Sequence, residues 1–224
     1  KLLKEIADDP RYARGAGELA THLEQLFRLN RLPNTLTELK TPGIPAFSPE
    51  TAAKLKGDGE IYTLGTDSLI SLFSANRDVF EPDVEQNLNK AFTLEKARGT
   101  QVAIFPRRIL LPNSSGKKMD DQLKLLSVYK AQIERDYPGA TAIMGNVADY
   151  ATLYIMIYRT SGQILLSEDF NAVAHIRTST DVDSKSAMTI WTDYNDHSLG
   201  FSPTEKDDGF VNMCIMPLIV PKSK

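Results

Sequence analysis

Cysteine is almost absent: Cys214 is the only one among 224 residues. A single thiol excludes an intramolecular disulfide and any zinc site built from several cysteines. It stands in the apolar run FVNMCIMPLIV, where an unpaired cysteine behaves as a small buried hydrophobe. Histidine is scarce too. His22, His175 and His197 form no H-x-x-x-H or H-E-x-x-H pair, which removes the local spacing of a zinc protease. No G-x-S-x-G turn is present; Ser198 beside His197 is adjacency, not a triad.

Long apolar runs are missing as well. No stretch reaches the roughly 18 to 20 residues a membrane-spanning helix requires, and KLLKEIADD lacks a signal-peptide core. Beginning at Lys1 rather than Met, the chain gives no reading of its compartment. Nor is there an excess of positive charge. With 26 basic against 29 acidic residues, the net charge of -3 offers no broad surface for nucleic acid, so such binding would be local, through Arg107, Arg108, Lys117 and Lys118.

What is present is ordinary globular composition, 42% hydrophobic and 25% charged, over a length that supports a real core. Leu19, Leu23, Leu26 and Phe27 recur at helical spacing between Ala16 and Leu32, opposite Glu18, His22, Gln25 and Arg28. Pro33 ends that helix, and the breaker-rich TPGIPAFSPETAAKLKGDGE reads as a linker. The spacing thus divides the chain into a helical N-terminal region with linker, 1–58, and an α+β domain, 59–224.

Within that domain, IYTL and SLISLFS read as strands around Gly65, and Pro82 opens a helix predicted to run to Arg98. TQVAIFP is a buried strand. A helix with the stripe Met119, Leu123, Leu126, Tyr129, Ile133 and Tyr137 follows it, and then ATAIMG, the pattern of a β-α-β crossover. TLYIMIYRT, QILLSEDF, AVAHIRTS, AMTIWTDY and FVNMCIMPLIV read as strands of an antiparallel C-terminal meander. Pro217 marks the last as an edge or bulged strand. The fold class is α+β with a mixed sheet.

Two places carry possible chemistry. The loop LLPNSSGKKMDD leaves a strand and feeds a helix, where free N–H groups and the helix dipole favour anions. Arg107, Arg108, Ser115, Gly116, Lys117 and Lys118 make it an anion-site candidate. The Walker pattern fails, because Leu111 replaces the first glycine and Lys118 the hydroxyl. Asp120 and Asp121 also satisfy the dipole already and would repel phosphate. The sequon Asn113-Ser114-Ser115 in the same loop is a chance-level match.

The second place depends on topology. A meander would gather Asp193, Asp196, His197, Asp207 and Asp208 at one end, oxygen and imidazole donors suited to a divalent cation. Turn chemistry explains the same residues without a metal. Asp181 and Asp183 fail as a calcium loop, because Lys185 occupies a ligand position.

With no catalytic signature, the expected function is a non-enzymatic binding or assembly module, a subunit of a larger complex with a protein partner or self-association. The apolar strand FVNMCIMPLIV, left at an edge, would need covering. The alternative is a phosphate-ligand or divalent-metal-dependent enzyme. No particular cofactor is indicated.

Overall fold

The computed structural model describes residues 44–87, 91–163, 174–193 and 197–222. The N-terminal helix expected over 16–32, the QILLSEDF strand from Ile164 onward, and Asp196 lie outside the described residues. Ser48 accepts the Thr51 N–H at 3.2 Å and starts helix α1, Pro49–Asp58, inside the stretch expected to be a linker. Thr51 Oγ1 and Lys54 Nζ then donate to the Pro138 and Asp136 carbonyls, at 2.6 and 2.5 Å. Strand β1, Glu60–Thr63, follows as expected.

SLISLFS is not a strand but helix α2, Leu69–Ala75, capped by Ser68 and burying Leu69, Leu72 and Phe73. The helix predicted from 82 to 98 is also not found among the described residues. Two short 3-10 stretches, Pro82–Asn87 and Ala91–Leu94, stand in its place. Beyond them the backbone is drawn away from helix, because Ala97 and Gly99 donate to the Asp67 and Gly65 carbonyls and Arg98 to Asp149.

Strand β2, Gln101–Ile104, helix α3, Met119–Asp136, and strand β3, Ala140–Met144, form the crossover. Helix α4, Val147–Ser161, replaces the predicted strand TLYIMIYRT. Asn146 and Asp149 form a reciprocal capping box at its start, and Gly162 at φ 69° closes its end. The helix is apolar around most of its circumference because it is buried on most sides. That pattern in sequence is indistinguishable from a strand covered on both faces.

Strands β4, His175–Asp181, β5, Ser186–Thr192, and β6, Leu199–Glu205, form the antiparallel meander. The run FVNMCIMPLIV is divided between β7, Met213–Cys214, and β8, Pro217–Pro221. One sheet has the order β1-β2-β8-β3 and the other β6-β5-β4-β7. Both β2 and β3 run antiparallel to β8, hence parallel to each other. Strand β8 is therefore central rather than an edge; proline is tolerated as its first residue, opposite Met144.

Alternation on β8 divides the core. Leu218 and Val220 join α4, α2 and the inner face of the second sheet, including Ile176, Met188 and Phe201. Ile219 faces the other way, with Ala103, Ala142, Leu126 and Ile133 under α3 and Leu55 of α1. Helices cover both faces of the first sheet, α4 and α2 on one and α3 and α1 on the other. Each wholly buried leucine here contributes about 1.5 to 3 kcal/mol.

Candidate functional site

The loop from Phe105 to Lys118 leaves β2 through a 3-10 turn, Pro106–Arg108, that holds both arginine side chains in solvent. Farther on, it docks against the segment before β7. Ser115 Oγ donates to the Val211 carbonyl, Gly116 N–H to Met213 at 3.2 Å, and Met119 N–H to Lys206 at 2.9 Å. These N–H groups, which an anion cradle would present, are spent on protein carbonyls. Lys118 lies 3.9 Å from Asp207, and Asp121 pairs with Lys124 at 2.7 Å. The Lys124 ammonium holds the Asp121 carboxyl below its ordinary range, so a negative charge persists in the first turn of α3.

The anion candidates are therefore divided. Arg107, Arg108 and Ser115 line a common groove of about 310 Å³, together with Leu110, Leu111 and Cys214. Lys117, Lys118 and Gly116 do not reach it. On their other side, Arg107 and Arg108 line a larger cleft of about 710 Å³, which the sequence did not reveal. Its walls are the end of α1 with the start of β1, from Lys56 to Glu60, and the last turns of α3, from Tyr129 to Tyr137. Chain segments some 50 and 30 residues apart meet there through sheet pairing, beyond any local spacing.

The cleft has an uneven charge arrangement. Asp58 accepts the Tyr137 hydroxyl at 2.5 Å, Glu60 accepts the Tyr62 hydroxyl, and Asp136 accepts from Arg135 Nε at 3.3 Å. Burial, reinforced by Asp58, raises the Tyr137 phenol well above its ordinary value and keeps it a donor. Burial also raises Tyr129, against the pull of the neighbouring Arg108 cation. Among the described residues, neither Arg107 nor Arg108 forms an ion pair.

The metal candidates are separated. Strands β5 and β6 pair from Thr192 with Leu199 to Ser186 with Glu205. Asp193 and His197 stand at the first end, Asp207 and Asp208 at the second, roughly 20 Å away at about 3.4 Å per residue. The extra strand β6 turns the chain back and breaks the expected gathering. Among the described residues no group of three or more His, Cys, Asp or Glu could hold a metal ion. Asp208 instead gives its carbonyl to Arg177, and the His197 carbonyl accepts the Tyr154 hydroxyl at 2.5 Å. Cys214 is buried, and burial pushes its thiol upward, away from a reactive thiolate.

No helix among the described residues is long and apolar enough to cross a membrane. No family model matches the chain, and no curated protein or solved structure matches it, so the case for the site rests on its own geometry.

Proposed function

We propose that the domain is a non-enzymatic binding module that receives an anionic group, a carboxylate or a phosphate, on Arg107 and Arg108. One observation carries this reading. Two adjacent exposed arginines line a concave cleft and, among the described residues, have no ion-pair partner, while each carboxylate of its walls accepts a hydrogen bond from a side chain of its own. Guanidinium offers a planar pair of donors that matches either oxyanion. A cleft of about 710 Å³ is in the range of ordinary ligand sites. The exposed lysines of the α3 N-terminus are secondary, because Asp120, Asp121 and Asp207 surround them.

Partnership through an apolar edge strand loses its motivation, since β8 lies inside its sheet and β7, at the edge of the other, is already met by the loop whose Gly116 and Leu111 N–H groups donate to the Met213 and Ile215 carbonyls. A protein partner enters instead through the charge of the cleft. The test is calorimetric titration with phosphate and with citrate at constant ionic strength, on the native protein and on the Arg107→Ala/Arg108→Ala variant. Binding that disappears in the variant, with unchanged thermal unfolding of the free protein, supports the reading. Equal binding by both proteins, or none by either, overturns it.

A further inference from the structure

Arg107 and Arg108 stand between two concavities, and both residues line each of them. The smaller groove differs in character from the cleft. Beside the polar Asn113 and Ser115, its wall is built by half-buried Ile109 and Leu110, buried Leu111 and exposed Pro112. An anion held on the two arginines thus has an apolar surface immediately beside it.

Resting on the reading of the cleft as an anion site, we infer that its natural ligand is an extended segment of another protein that combines an acidic residue with leucine-like side chains. The acid sits on Arg107 and Arg108, and the apolar side chains occupy the groove along residues 109–112. In an extended chain, side chains two residues apart point the same way, about 7 Å apart. An acid at one position and a leucine two positions later therefore present one face to the arginines and the groove. A carboxylate alone uses only the charge; the pair uses the charge and the adjoining apolar wall.

The shape of the groove favours a peptide over a lipid. About 310 Å³ of surface groove shelters one or two side chains but gives a long acyl tail no enclosed tunnel. An extended peptide also has backbone groups that remain in water, so it needs no deep pocket.

The experiment compares two fluorescein-labelled peptides by anisotropy, Ser-Glu-Ser-Leu-Ser-Leu and its equally charged control Ser-Glu-Ser-Ser-Ser-Ser. Burial of one leucine predicts about tenfold tighter binding of the first. The Arg107→Ala/Arg108→Ala variant should lose both, and a photo-reactive group at the first leucine should cross-link within residues 109–115. Equal affinity for the two peptides, with phosphate still bound, overturns the peptide inference and leaves the anion site standing. Leucine-dependent binding that persists in the double variant or cross-links elsewhere also overturns it, as does binding of laurate without binding of the peptide. Failure of phosphate, citrate and both peptides overturns the anion site itself.

Discussion

The fully buried guanidinium of Arg177 donates from Nε to Gln122 Oε1 at 2.9 Å, and Gln122 Nε2 in turn donates to the Ser114 and Met213 carbonyls. Arg177 also reaches the Glu205 and Asp208 carbonyls, at 3.2 and 2.7 Å. One side-chain pair thereby ties α3, β4, the loop after β6 and the loop before α3. Burial pushes the guanidinium below its ordinary value, and the Asp208 charge opposes that shift.

Removing either partner strands buried polar groups. Gln122→Leu should lower stability by about 2 to 4 kcal/mol, because it leaves Arg177 Nε and the Ser114 carbonyl without their partner and the Met213 carbonyl with the Gly116 N–H alone. Urea denaturation reads the change. A loss below half a kcal/mol would show that water replaces the amide.

Trp191, the chain's only tryptophan, lies over Gly200 and donates from Nε1 to Glu81 at 2.9 Å. A Cβ on residue 200 would stand 2.4 Å from the indole. Gly200→Ala should displace the ring, shift its fluorescence emission and cost about 1 to 3 kcal/mol as overpacking. An unchanged emission spectrum would contradict this contact.

Cys214 should resist a thiol reagent in the native protein and react fully once the chain is unfolded in urea. Only 2% of the residue is exposed, and burial keeps the thiol protonated. Rapid reaction of the native protein, on the timescale of a free thiol, would place the residue in solvent.

His175 packs against Trp191 and Phe210, with ring centroids 5.1 and 5.0 Å away. Burial lowers its pKa from the ordinary 6.5, so the unfolded chain binds its proton first as the pH falls. Its contribution to stability is complete above pH 6.5 and is lost as the pH drops through that value towards the folded pKa. Asp121 and Glu134 are shifted below 3.8 and 4.5 by Lys124 and Lys222, outside this window. Urea unfolding between about pH 7.5 and 5.5 should show a loss in the native protein that His175→Gln reduces. Equal slopes in the two proteins would assign the loss to another group.

Legibility in the sequence followed the physics of each element. Helix α3 was visible because only one side is buried, leaving a stripe from Met119 to Ile133. Helix α4 reads as a strand because burial on most sides erases its period. Its signature lay in Asn146 and Asp149, three residues apart, and in Gly162 at the other end. Arg107 and Arg108 were visible as charge beside a strand end. The cleft that gives them a setting was not, since Lys56 and Tyr129 reach it from distant parts of the chain.

By itself, the sequence determined the α+β class, the β-α-β crossover and the lack of disulfide and local zinc spacing. These follow from composition, periodicity and residue spacing, which are local properties. Only the tertiary structure decided that β8 is central, that β6 parts Asp193 from Asp208, and that Ser115 rather than Lys118 shares a groove with the arginines. Strand order and loop docking are fixed by long-range pairing and burial, and a one-dimensional pattern holds no record of which distant segments satisfy one another.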